Sequence, residues 1–135
     1  MKKVRVFIER SPDGSYSAYM PDDDELSYGI IGTGPTIEET TKDFNDAYVG
    51  MKEHYAQEGK LFEEVTFEFS YDIPSFLAYY SDRLSLAGLE RITGVAQGQL
   101  SHYVTGRRNP SKKTAEKIQA ALQLFGKELS NVHFV

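Results

Sequence analysis

The sequence predicts an α+β chain in two parts: a small sheet with one helix, βββαβ, followed by an all-α segment. Three observations predict it. Apolar residues alternate with polar ones in short stretches of the first half, the period of a strand with one covered face. Through residues 37–55 they recur instead at spacings of three and four, the period of a helix. The charge also changes sign along the chain. The 135 residues carry 15 Lys and Arg against 20 Asp and Glu, net −5. Residues 1–72 hold 7 of the basic and 16 of the acidic side chains, net −9, while residues 73–135 hold 8 and 4, net +4. Two modules with different partners are expected, 1–72 and 73–135, the basic one suited to a polyanion.

The strands come first. Val4, Val6 and Ile8 alternate with Arg5, Phe7 and Glu9. Ser11-Pro12-Asp13-Gly14 is a turn, Pro presetting φ and Gly accepting a positive one. Tyr16, Ala18 and Met20 resume the alternation to complete a hairpin, which Pro21 stops. A third strand is expected over residues 28–32. Thr36-Ile37-Glu38-Glu39 reads as a capping box, with the Thr36 hydroxyl on the Glu39 amide and the Glu39 side chain reaching back. The helix it opens carries Ile37, Thr41, Phe44, Tyr48, Met51 and Tyr55 on one stripe and ends at Gly59. Val65, Phe67, Phe69 and Tyr71 then alternate as a fourth strand, giving a helix packed on one face of a sheet.

The basic half reads as helices. Pro74 suits the first turn of a short helix that includes residues 77–80. Ser85 caps a helix over residues 86–93, and a second runs from Gln97 to about Thr105, closed by Gly106. Between them Gly94 supplies the positive φ of a tight turn. Leu89, Val95, Leu100 and Tyr103 sit where two steeply crossing helices pack around such a turn, a helix-turn-helix. Leu100, Tyr103 and Val104 face inward, which turns Gly98, Ser101, His102 and Thr105 outward with Gln97 and Gln99 beside them. That face is small, polar and free of carboxylates, as a groove-reading helix requires. Arg107, Arg108, Lys112 and Lys113 follow, four cations placed to hold phosphates where Ser111 caps a final helix. Ala115, Ile118, Ala121, Leu122 and Phe125 form that helix's stripe; it is expected to end near Gly126, with residues 129–135 a short strand.

Chemistry finds little support. The chain has no Cys, which excludes disulfides and thiolate-held metals and fits a reducing, cytoplasmic setting. His54, His102 and His133 are too scattered to suggest a metal site. Asp22, Asp23, Asp24 and Glu25 are consecutive rather than spaced as ligands, so they read as a solvated loop. Gly32-Thr33-Gly34 lacks the spacing of a phosphate loop and reads as a turn into the helix. No enzyme, cofactor or metal is expected. No apolar run reaches the ~20 residues of a spanning helix, and the charged N-terminus has no secretory core, so no membrane is expected.

Two resemblances cover nearly all of the chain. Residues 85–124 resemble the XRE/Cro-type repressor domain in the Leu89 to Gly94-Val95 core, the Gly106-Arg107-Arg108-Asn109-Pro110 loop and the closing helix. Glu90 stands where that motif has a small residue, Leu86 where it has Gln, and Ala96 where it has a hydroxyl or amide cap. Residues 3–70 resemble the HicB antitoxin domain in the Val6-x-Ile8-Glu9 strand, the Asp13-Gly14-x-Tyr16 hairpin, Pro21-Asp22 and the Gly34-x-Thr36-x-Glu38-Glu39 helix start. The second resemblance implies a partial RNase H-like fold without nuclease activity that binds and blocks a HicA-like, mRNA-cleaving toxin. The first implies operator binding as a homodimer or higher oligomer. By match to the motif, Gln97, Gly98, Gln99, Ser101 and His102 take base-facing positions, and Arg107, Arg108 and Lys112 phosphate-facing ones. Together they imply the antitoxin of a HicAB-type toxin–antitoxin system that represses its own operon. The alternative is a stand-alone regulator whose acidic domain serves dimerisation or ligand sensing, and a hydrolase built on the Asp22 cluster is a third reading.

Overall fold

Strand β1 (Lys2–Arg10) is the longest strand and has a neighbour on either side. The computed structural model describes residues 1–21 and 26–135, so the Asp22, Asp23, Asp24 and Glu25 loop lies outside the described residues. The described residues fall into two units, Met1–Ser75 and Phe76–Val135.

In the first unit, β2 (Tyr16–Tyr19), β3 (Ile31–Gly34) and β4 (Val65–Tyr71) join β1 in one sheet ordered β3-β2-β1-β4. The hairpin strand β2 runs antiparallel to β1, with Ile8 opposite Ala18. Strand β4 lies parallel to β1, with Val6 opposite Phe69. A parallel neighbour needs a long crossover, and helix α1 (Ile37–Gln57) stands between β3 and β4 in the chain. Val4, Val6, Ile8, Tyr16 and Ala18 are buried while Lys3, Arg5 and Glu9 are exposed, which is the alternation of a sheet covered on one side. Phe44 of α1 is fully buried and meets Phe67 and Phe69 edge-on, at 4.9 and 5.9 Å between ring centres. Tyr48 hangs from the same helix and its hydroxyl accepts the Val65 N–H at 3.2 Å, tying the start of β4 to α1.

The third strand lies further along the chain than residues 28–32. Tyr28 is buried outside the sheet, stacked on Phe62 at 4.6 Å and edge-on to Tyr55, with its hydroxyl donating to the Glu63 carbonyl at 2.7 Å. Burial pushes the Tyr28 phenol up to about 12. An aromatic cluster therefore holds Tyr28, where sequence alternation assigns it to a strand. Strand β3 instead carries the two glycines, and they have a packing role. A Cβ on Gly32 would lie 2.6 Å from both the Phe44 nitrogen and the Thr40 carbonyl oxygen, and one on Gly34 would lie 2.9 Å from the Thr40 nitrogen. The backbone of α1 thus rests directly on β3, a contact only glycine permits. That approach also shifts the stripe at the start of α1. Thr40 is fully buried, its hydroxyl donating to the Thr36 carbonyl at 2.7 Å, while Thr41 is half-buried. Thr36 accepts the Glu39 N–H at 3.1 Å, whereas among the described residues the return bond from the Glu39 side chain is not made.

In the second unit the helices are α2 (Ile73–Tyr79, which begins in the first unit), α3 (Leu86–Thr93), α4 (Gln97–Val104) and α5 (Lys112–Ser130). Leu77, Leu89, Val95, Leu100, Tyr103 and Ile118 are each at most 5% exposed and make its core. Helix α5 does not end near Gly126 but continues to Ser130, and residues 129–135 form no strand. A mid-helix glycine costs only about 1 kcal/mol, and the good helix formers Lys127, Glu128 and Leu129 carry the helix past it to an Asn131 cap. Among the described residues no helix is long and apolar enough to cross a membrane.

Candidate nucleic-acid interface

The turn between α3 and α4 is built from four local features. Ser85 caps α3, its hydroxyl accepting the Gly88 N–H at 3.0 Å. At the far end Gly94 takes φ 74° and ψ 8°, and its N–H donates to the Glu90 carbonyl at 2.8 Å. That conformation is strained for any residue with a Cβ, which explains the glycine. Thr93, buried beside it, donates its hydroxyl to the Leu89 carbonyl at 2.7 Å and accepts the Val95 N–H at 3.1 Å. One side chain therefore fastens the end of α3 to the segment leading into α4.

The fourth feature is Glu90. Ala96 at the N-cap of α4 has no side chain able to accept an N–H. The Glu90 carboxylate supplies the acceptor from the preceding helix, 2.7 Å from the Gln97 nitrogen. A carboxylate suits this place because the orphan amides of a helix start carry partial positive charge. The non-standard residues at 90 and 96 thus compensate each other. Replacing Glu90 with Ala is expected to destabilise the second unit by about 1 kcal/mol, the usual worth of an N-cap. Glu90→Gln, which keeps the acceptor oxygen, is expected to retain most of that stability in urea unfolding.

With Leu100 and Tyr103 buried, the opposite side of α4 is turned outward. Gln97, Gly98 and Gln99 are exposed, and Ser101 and His102 are half-exposed on the next turn. Val104, assigned inward with Leu100 and Tyr103, is half-buried. No acidic side chain lies in α4 itself. The helix closes on itself at its end, where the Thr105 hydroxyl lies 3.2 Å from the Ser101 and His102 carbonyl oxygens. Gly106 then turns the chain at φ 76°, and the Arg108 N–H donates to the His102 carbonyl at 3.3 Å. This holds the Arg107-Arg108 loop against the end of α4.

Arg107, Arg108, Lys112 and Lys113 are all exposed, and among the described residues none of the four pairs with a carboxylate. Ser111 caps α5 by accepting the Thr114 N–H at 3.1 Å, so Lys112 and Lys113 occupy the helix's first turn. Cations there oppose the helix dipole and cost a few tenths of a kcal/mol or more each. A sequence that accepts this cost at a helix start, with no acidic residue in that turn, departs from a local rule in the way functional sites do. Lys117 adds a cation that sequence reading missed. A Cβ placed on Gly94 would lie 3.5 Å from its ammonium nitrogen, so it stands beside the turn between α3 and α4. The signal was its position five residues along α5 from Lys112, which alone does not reveal the turn as its neighbour.

Among the described residues no group of His, Cys, Asp and Glu is placed to hold a metal ion.

Residues 83–124 match the helix-turn-helix family model, which suggests a DNA-binding transcription regulator. No HicB family model, no curated protein and no solved structure matches the chain.

Proposed function

We propose that this protein is an operator-binding transcription regulator whose helix α4 reads bases in the major groove. The observation that carries the reading is the carboxylate-free face of α4 lying next in the chain to four exposed cations that, among the described residues, pair with no carboxylate. Gln97, Gln99, Ser101 and His102 present hydrogen-bonding groups toward base edges, and Gly98 allows close approach. Arg107, Arg108, Lys112 and Lys113 hold phosphates on either side, helped by the amides at the start of α5. Glu90 works against this attraction, because its charge stands at the start of the reading helix. Neutralising it as Glu90→Gln should tighten DNA binding several-fold, in line with about 1 kcal/mol for one screened unit-charge contact.

The acidic first unit supports a finer reading, that of an antitoxin in a HicAB-type system. Its strand–helix order is βββαβ, as that resemblance implies, and its net charge of −9 complements a basic, RNA-binding toxin. Such a protein neutralises the toxin with one unit and represses its own operon with the other.

Selection from randomised DNA duplexes tests the regulator reading. The chain is expected to enrich an inverted repeat with half-sites about 10 base pairs apart. Gln99→Ala should relax preference at one position per half-site, worth about 1–3 kcal/mol of discrimination. Recovery of unbiased sequence would overturn base reading by α4. Co-purification of the native operon products tests the finer reading: a small basic protein bound to this chain supports the antitoxin, and its absence leaves a stand-alone regulator.

A further inference from the structure

One basic side chain outside the loop between α4 and α5 is locked in place. Helix α2 is anchored in the core by Leu77 and ends at Tyr79, with Tyr80 next in the chain. The Arg83 and Leu84 N–H groups both donate to the Tyr80 carbonyl, at 3.0 and 2.8 Å, and close the turn that follows. That turn lays the Arg83 guanidinium over two rings, 4.7 Å from the centre of Tyr79 and 4.3 Å from that of Tyr80. The rings are braced in turn, Tyr80 lying 4.7 Å from Phe76 and meeting Tyr79 edge-on at 5.0 Å. Two hydrogen bonds set the plane: Nε donates to the Asp82 carboxylate at 3.2 Å and Nη2 to the Tyr79 carbonyl at 3.0 Å. A guanidinium has five N–H groups, and among the described residues the other three meet no protein acceptor. Asp82 is itself 79% exposed, so its pairing with Arg83 is a solvent-screened contact that a phosphate can share or displace.

The place of Arg83 in the chain identifies its ligand. It stands two residues before Ser85, the cap of α3. The Gly94 turn joins the other end of α3 to the start of α4, so that end belongs to the groove α4 enters. The eight residues of α3 extend about 12 Å, close to the major-groove width of about 12 Å. The start of α3 therefore comes to lie over the sugar–phosphate strand that this helix crosses. Its own side chains offer that strand little. The Ser85 hydroxyl already accepts the Gly88 N–H, and Leu86 ends in methyl groups. A guanidinium suits the place, being planar, permanently charged and able to fork onto two phosphate oxygens. Stacked on two rings, it also has little rotamer freedom left to lose on binding.

We propose that Arg83, held flat on Tyr79 and Tyr80, grips a backbone phosphate at the start of α3, a contact separate from those of the loop between α4 and α5. This rests on the operator-binding reading, and salt titrations of variants of the full chain separate the two. Arg83→Gln is expected to make the log–log dependence of DNA affinity on salt shallower by about 0.9, so its deficit against the parent shrinks about 3.5-fold between 50 and 200 mM salt. The deficit should be equal on a selected operator duplex and on an unrelated duplex of the same length, because a phosphate carries no sequence. Arg83→Lys should keep the parent slope but bind more weakly, since an ammonium neither forks nor stacks flat. Tyr80→Leu, which leaves every charge in place, should also weaken binding at unchanged slope. An Arg83→Gln chain with the parent slope, even one with a lower urea midpoint, would show a structural role and overturn the contact while α4 still reads bases. A deficit confined to the selected operator would place Arg83 on a base and overturn it equally. A parent chain whose binding ignores salt would remove both readings together.

Discussion

Substituting Gly32 with Ala should unfold or severely loosen the first unit. The new methyl would stand 2.6 Å from two backbone atoms of α1, the Phe44 nitrogen and the Thr40 carbonyl oxygen, and 2.7 Å from the Phe44 Cβ. None of these is the end of a flexible side chain, so relief requires lifting the helix from β3. Overpacking costs about 1–3 kcal/mol where side chains can give way, and a clash against two backbones belongs at or above the top of that range. A 75-residue unit at ~0.05–0.15 kcal/mol per residue has roughly 4–11 kcal/mol in total. Urea unfolding followed by tyrosine fluorescence should therefore show a large drop in midpoint. Gly50→Ala is the control with the opposite sign. Its Cβ would meet nothing within 4 Å inside α1, and replacing a mid-helix glycine should gain up to about 1 kcal/mol. A Gly32→Ala variant as stable as the parent would mean that helix and strand do not touch as described.

Removing the charge of Arg107, Arg108, Lys112 and Lys113 together, each to Gln, should reduce DNA affinity by more than a hundredfold at low salt. Each neutralised phosphate contributes close to one counterion to the salt dependence, so the loss comes chiefly from contacts that release counterions. All four side chains are exposed, and among the described residues none is in an ion pair that the substitutions would break. Stability should move the other way. Lys112 and Lys113 oppose the dipole of α5, so their removal is worth about 0.3–1 kcal/mol each in favour of the folded state. A variant more stable yet weaker in binding separates a phosphate-holding role from a structural one. Lower stability with unchanged binding would reverse the assignment.

How far the chain could be read beforehand depends on how local each cause was. The alternation of Val4, Val6 and Ile8, the Ser85 cap and the positive φ at Gly94 arise from neighbouring residues, and each was legible. The parallel pairing of β1 with β4 was not, because it joins Ile8 to Tyr71 across most of the first unit. Nor was the place of β3: a strand pattern at Tyr28 competes with an aromatic cluster completed by Phe62, thirty-four positions later. Gly32 and Gly34 looked like turn residues, since only the crossing of α1 reveals why a side chain is barred there. Gly126 looked like a stop, but its small penalty is outweighed by the helix formers around it. In the candidate interface the outward face of α4 followed from helical periodicity. The Glu90 cap did not, because a carboxylate on one helix serving the start of the next depends on their crossing.

If α4 is offered to a duplex with cations beside it, binding must weaken steeply as salt rises, and a salt titration tests this most directly. Binding of this chain to a fluorescent duplex taken from immediately upstream of its coding sequence should be followed from 50 to 200 mM salt. Three or four phosphates held per protomer predict a log–log slope of roughly −3, a loss of about 60-fold per protomer over that range. A flat response, or no binding at the lowest salt, would contradict the account.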